Sequence, residues 1–373
     1  MENIPLVSFT DEINSQKNNY LKVFEEQLEK GEFIGGDPLK IFENNLTDYF
    51  SISNALGVGN GTDALVIALE SIKHKFNIKK GSVIVPAFSF FATSEAIVKS
   101  GFKPIFVDVE KDTGNIDVKQ IEQNIQDDTV GILPVHLFGK PADMKTISEI
   151  KEKYNLFIVE DVAQAFGGKH DRKFLGTIGD AGCFSFFPTK ILGAFGDGGA
   201  IITNDNEIAE YANMLRNHGS RKKYSNEIFG YNSRLDSIQA RFLDIKLSLI
   251  NKNIESRRDI SKYYIDNLKD VEHINFLNYE DSVFNYFTFK VPNHRDKLAE
   301  HLKNKKISTA IYYPIPLPNL KAHIKDKKEK QEFPAANNLS STIISIPLWP
   351  EMDNSILDRI INEIKNFFDE NIK

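Results

Sequence analysis

The chain has 373 residues, 41% of them apolar and 26% charged, with a formal net charge of −6. That length suits a large domain with a smaller one beside it, and the mild acidity excludes the broad basic surface of a general nucleic-acid binder. The single cysteine, Cys183, excludes an intrachain disulfide framework and a cysteine-built metal cluster, and no metal is expected. No run is long and apolar enough to cross a bilayer, and Met1 to Phe9 lacks a basic stretch leading into an apolar one. A cytoplasmic protein is the expectation.

Between Ala55 and Thr203 short β-branched runs alternate with helical spacings. Strands are predicted at 55–58, 83–86, 104–108, 131–135, 157–161, 182–186 and 200–203. Most are near-continuously apolar, as strands covered on both faces are. Residues 62–71 and 144–153 have helical spacing. The alternation predicts an α/β fold with a mostly parallel sheet and right-handed crossovers, and ligands in such sheets bind beyond the carboxyl ends of the strands. Beyond Arg241 the character changes. Residues 243–267 read as one long helix, 283–291 as a strand, 295–305 as a helix, 343–346 as a short strand, and 356–368 as a closing amphipathic helix. The charge run from Lys325 to Glu332 reads as a solvated loop or helix end.

The densest chemistry lies between Val159 and Gly199. Asp161 closes an apolar strand, and Ser185 sits between Phe184 and Phe186 near the end of a second. Lys190 follows Pro188-Thr189 and precedes the glycine run Gly193 to Gly199. This order suits pyridoxal phosphate chemistry: the acid can keep a pyridine nitrogen protonated, the hydroxyl can bind phosphate, and the lysine can form a Schiff base. Each residue also has an ordinary reading. Asp161 could cap a following helix, Ser185 could bond backbone within its strand, and Lys190 could be a surface lysine. Gln164 would share the face of Asp161 if that turn is helical, and would otherwise be an exposed polar residue. Gly59-Asn60-Gly61-Thr62-Asp63-Ala64-Leu65 follows a strand and opens a helix, where backbone N–H groups and the helix dipole suit a phosphate. Alternatively it is a plain turn with Thr62 or Asp63 as N-cap. It lacks the Gly-x-Gly-x-x-Gly spacing of a dinucleotide site.

Other motifs extend the pattern: Ile34-Gly35-Gly36 with Phe42-Glu43, Pro86-Ala87-Phe88-Ser89-Phe90-Phe91-Ala92-Thr93, Pro134-Val135-His136-Leu137-Phe138-Gly139, and Gly230-Tyr231-Asn232-Ser233-Arg234-Leu235-Asp236. In this order, with Asp161 to Gly199, they resemble the fold-type-I pyridoxal-phosphate sugar aminotransferases of the DegT/StrS family, over almost the whole chain. The resemblance implies an aspartate aminotransferase-like fold. Residues 1–245 would form a large cofactor-binding domain with an N-terminal helix and a mostly parallel seven-stranded sheet; residues 246–373 would form a smaller α+β domain. It implies pyridoxal 5′-phosphate as cofactor, with Lys190 as the catalytic lysine, Asp161 at the pyridine nitrogen and Gln164 at the ring hydroxyl. Ser185 and the backbone of Gly61, Thr62 and Asp63 would bind the phosphate, and Phe88 would stack on the ring. Asn232, which also reads as a turn residue, would reach the phosphate of a neighbouring subunit in a homodimer with shared sites.

Asn232-Ser233-Arg234-Leu235-Asp236 resembles family members that act at C3 of a hexose, whereas members acting at C4 more often carry an aromatic after the Asn. The resemblance therefore implies conversion of a dTDP-3-keto-6-deoxyhexose to the 3-amino-3,6-dideoxy sugar, with L-glutamate as amino donor. Alternatives are a nucleotide-4-keto-6-deoxysugar 4-aminotransferase and a non-catalytic regulatory or assembly protein on the same fold. Lys190 argues against the family's histidine-bearing dehydratases, and the single cysteine against its iron–sulfur relative. Ile311 to Pro318 resembles the family's sugar-site loop, with Tyr312 and Pro318 where relatives often carry His. Tyr312, Tyr313 and His218 are the candidate substrate contacts.

Overall fold

The computed structural model describes residues 2–222, 224–324 and 332–371. All seven apolar runs between Ala55 and Thr203 become strands of one sheet: β1 (Asn54–Val58), β2 (Ser82–Pro86), β3 (Lys103–Val107), β4 (Thr129–Ile132), β5 (Phe157–Asp161), β6 (Ala181–Ser185) and β7 (Gly199–Thr203). Their spatial order is β1-β7-β6-β5-β4-β2-β3. The run from β6 through β3 is parallel, and β7 runs antiparallel to both β1 and β6.

Side-chain alternation explains why these strands are apolar throughout. Val83, Val85, Phe157 and Val159 pack on one face of the sheet, while their neighbours Ile84 and Ile158 pack on the other. On the first face lies α3 (Gly61–Lys75), after α1 (Thr10–Lys30) and α2 (Gly36–Phe50) in the chain; Phe42 and Leu46 of α2 lie in the core of the second. The chain continues with α4 (Phe91–Lys99), α5 (Met144–Tyr154) and α6 (Asn206–Arg216).

Three expectations are corrected. The strand at 131–135 stops at Ile132, and Val135 keeps an isolated bridge to Asp161. The single helix over 243–267 is two helices, α7 (Ser237–Ser248) and α8 (Ile250–Leu268). At the break Leu249 N–H bonds to Lys246 O in a tighter turn. Leu243, Leu247 and Ile250 then pack under the large sheet, while Ile260, Tyr264 and Leu268 fill a third core. The strand at 283–291 shrinks to Phe287–Lys290. Phe284 takes a left-handed φ of 51°, and the N–H groups of Val283 and Asn285 donate to Gly139 O and Phe138 O instead of a sheet neighbour.

That third core surrounds an antiparallel sheet of β8 (Asn275–Phe276), β9 (Phe287–Lys290) and β10 (Ile343–Ile346), with α9 (Arg295–Asn304), α10 (Pro334–Thr342) and α11 (Asn354–Asn371) following in the chain. Ile4 joins this core from the N-terminus. Of the charge run from Lys325, residues 325–331 lie outside the described residues. Among the described residues no helix is long and apolar enough to cross a membrane, and no cluster of His, Cys, Asp or Glu could hold a metal ion.

Candidate active site

Parallel strands bring β5 and β6 to the same edge of the sheet, where α3 also begins, and a cavity of about 650 Å³ opens there. Gly61, Thr62, Asp63, Asp161, Gln164, Ser185, Lys190, Tyr312 and Tyr313 all line it, although Gly61 and Tyr313 are 252 positions apart in sequence.

One end is formed by α3 and Ser185. The cap of α3 is Asn60, not Thr62 or Asp63: its side chain accepts from Asp63 N–H at 2.8 Å. That bond occupies the Asp63 amide and leaves the amides of Gly61 and Thr62 heading the helix, where a first turn lacks intrahelical partners. Gly61 is required by closeness: a Cβ there would lie 2.7 Å from Ser185 Cβ. A helix N-terminus pressed against a serine hydroxyl fits a phosphate.

Asp161 forms a second part of the wall, 5% exposed. Thr93 Oγ1 donates to its Oδ2 at 2.9 Å, and Ala163 N–H to its Oδ1 at 3.1 Å. No helix follows, so the capping reading fails; Ala163 instead closes a tight turn. Burial pushes the carboxyl above its ordinary value, and the Ala163 amide, the Thr93 hydroxyl and the charges of Lys190 and His136 only partly pull it back. A buried carboxylate in this state is short of positive charge on its cavity side, which fits a protonated pyridine nitrogen. Gln164 also lies in a turn rather than a helix. Its Oε1 accepts from Phe138 N–H and its Nε2 donates to Tyr313 Oη, both at 2.8 Å.

Phe88 is corrected. Its side chain is fully enclosed in the core and meets Tyr313 edge-on at 6.0 Å, off the cavity wall. Of the aromatics in that stretch it is Phe90 that lines the wall, 56% exposed and 5.9 Å from the Tyr313 ring. The sequence offered Phe88, Phe90 and Phe91 together, and strand alternation could not choose once β2 had ended at Pro86. His218 and Asn232 are exposed and off this cavity, on neighbouring segments joined by the bond from His218 N–H to Tyr231 O. Asn232 Oδ1 accepts from Arg234.

Sequence reasoning missed Thr93, Thr189 and Tyr286. Tyr286 stood inside a predicted strand and was not singled out, yet it lines the cavity with its ring centroid 5.8 Å from Lys190 Nζ. Burial pushes the hydroxyls of Tyr312 and Tyr313 well up.

The pattern of the DegT/DnrJ/EryC1/StrS aminotransferase family matches residues 14–365. The chain is 38% identical, over 91% of its length and 93% of the relative's, to the dTDP-3-amino-3,6-dideoxy-alpha-D-galactopyranose transaminase of Aneurinibacillus thermoaerophilus. It is 36% identical, over 98% of its length and 99% of the relative's, to a pleiotropic regulatory protein of Geobacillus stearothermophilus. Among solved structures, that of DesV from S. venezuelae in complex with a ketimine intermediate superposes with a TM-score of 0.94 at 31% identity, covering 100% of both chains.

Proposed function

The chain belongs to the DegT/DnrJ/EryC1/StrS aminotransferase family, whose enzymes depend on pyridoxal phosphate, and from that premise we propose that it aminates C3 of a dTDP-linked 3-keto-6-deoxyhexose with L-glutamate as donor. The observation that carries the reading is the gathering of Lys190, the buried Asp161 and the Gly61–Ser185 cradle around one cavity. Pyridoxal phosphate, when bound, supplies an electron sink through which an amino group passes from donor to keto sugar.

The chain's own residues divide the remaining work. Lys190 would hold the cofactor covalently and would act as the acid–base group for proton transfer between the reacting carbons. Asp161 holds a proton on the ring nitrogen through opposite charge in a buried site. The amides of Gly61 and Thr62 and the Ser185 hydroxyl bind the phosphate, with the Asp63 amide committed to the helix cap. Phe90 offers the flat apolar face for the ring, in place of Phe88. Gln164, held between Phe138 and Tyr313, carries the link from the ring side to the sugar side, where Tyr312 and Tyr313 face the substrate. The working unit is a homodimer in which Asn232 serves the phosphate site of a second copy. Support for pairing comes from large apolar side chains left in solvent, among them Leu21, Phe24 and Leu28 at helical spacing on α1 and the fully exposed Phe229.

The test is spectroscopic. Purified, cofactor-loaded protein is mixed with glutamate while its visible absorption is followed, and nucleotide-linked keto sugars are then added one at a time. Bleaching by glutamate and recovery with a 3-keto sugar alone is the expected result. Recovery with a 4-keto sugar alone overturns the position of amination and keeps the reaction. No change with any donor favours a non-catalytic, regulatory role, the kind of role printed in the Geobacillus relative's name.

A further inference from the structure

Tyr286 is a buried titratable group on the cavity wall that the reaction above leaves unused. It is 7% exposed and immediately precedes β9. Its ring lies 5.8 Å from Lys190 Nζ and 4.4 Å from the ring of Tyr312. Thr189 and Tyr312 present polar groups to its hydroxyl. So does Asn285, whose fully enclosed amide approaches the hydroxyl yet closes no hydrogen bond of ordinary geometry among the described residues. Lys190 supplies positive charge from the loop after β6, and the buried Arg257 of α8 lies within electrostatic reach of the ring.

The three cavity tyrosines are therefore in different states. Tyr313 is tied to Gln164, and burial pushes its hydroxyl up, as it does that of Tyr312. Burial alone would push Tyr286 the same way. The Lys190 charge and the contacts from Thr189, Asn285 and Tyr312 outweigh it, and the Tyr286 hydroxyl falls below the usual tyrosine value. Environments that drive neighbouring groups apart in this way mark acid–base pairs.

Resting on the aminotransferase reading, we propose that Tyr286 is a further catalytic residue, carrying protons for the substrate's keto oxygen while Lys190 carries them for carbon. The step balances without an oxidant. The amine nitrogen forms two bonds to the sugar carbon and loses two N–H bonds; the C=O bond breaks and its oxygen leaves as water. The Tyr286 phenol gives a proton to the oxygen and the phenolate recovers one from nitrogen, once as the C–N bond forms and once as water departs, so both N–H protons end on the oxygen and the residue ends as it began. A phenol of lowered proton affinity is the better donor at neutral pH, and the Lys190 ammonium steadies the phenolate.

Tyr286→Phe tests this through two reactions that need different groups. Exchange of the donor's α-hydrogen with deuterated water needs the proton transfer at carbon alone, and should stay close to the unmodified rate. Overall amine transfer should fall by about a hundredfold or more, the usual share of a positioned acid–base group. In the cofactor-free protein, the near-ultraviolet phenolate titration should lose one low-lying step. Loss of exchange together with turnover, full turnover, or an unchanged titration would each overturn the proposal. An unmodified protein with neither exchange nor turnover would instead sink the aminotransferase reading. If Tyr286→Phe does not fold, Thr189→Val takes its place. Stripping one polar neighbour should shift that titration step and the basic limb of turnover upward with exchange unaltered, and an unmoved step refutes the idea.

Discussion

Thr93→Val isolates one bond at the centre of the site. Thr93 Oγ1 donates to Asp161 Oδ2 at 2.9 Å and sits 2.9 Å from Ser89 Oγ, with all three residues buried. Valine keeps the shape and removes the donor. A hydrogen bond to a charged acceptor contributes about 1.5–3 kcal/mol. If that preference is lost to the charged form of Asp161, and with it to the ring-nitrogen proton, turnover should fall between about tenfold and about 150-fold. Stability should respond with a definite sign. Folding already raises the Asp161 carboxyl, chiefly through burial. The ionised group thus opposes folding once pH exceeds its unfolded value near 4, about the model-peptide figure. Removing the donor enlarges that opposition, so the variant should lose little stability in acid and progressively more as pH rises through the raised folded value. Urea unfolding of the cofactor-free protein, repeated across that range, measures the difference. A loss that is equal at every pH would mean that Thr93 merely packs and that its hydroxyl does not govern the Asp161 charge.

Three further outcomes follow from the same geometry. Lys190→Ala should abolish both donor exchange and turnover, with the melting temperature nearly unchanged because the side chain is only half-buried; residual activity near the unmodified level would refute its assignment. Gly61→Ala, whose Cβ would lie 2.7 Å from Ser185 Cβ, should weaken cofactor binding by about 1–3 kcal/mol in an equilibrium titration, whereas Gly59→Ala, 3.3 Å from Ser233 Oγ, should cost less. Phe287→Ala empties a fully enclosed position stacked on Tyr264 at 5.0 Å, and should destabilise the third core by about 3–5 kcal/mol, read as a shift in the urea midpoint.

The strand pattern and the gathering of Asp161, Ser185 and the Gly61 turn at one edge of the sheet were legible in the sequence because both rest on local signals. A run buried on two faces must be apolar throughout, and a residue at its carboxyl end is brought to the sheet edge that holds Asp161 and Ser185. The helix opening at Gly61 was visible from its turn residues; which side chain caps it was not, since Asn60, Thr62 and Asp63 are all able and only the path of the chain decides. The tertiary structure alone settled contacts made across long separations. It placed Phe90 rather than Phe88 on the cavity wall, because the chain leaves the strand geometry after Pro86. It delayed the start of the strand to Phe287, because the amides of Val283 and Asn285 found the carbonyls of Gly139 and Phe138. It also brought Tyr286 to Lys190 across nearly a hundred residues. Periodicity records which side chains are buried; it holds no information about which distant groups share that burial, and the proton affinities of the site depend on those groups.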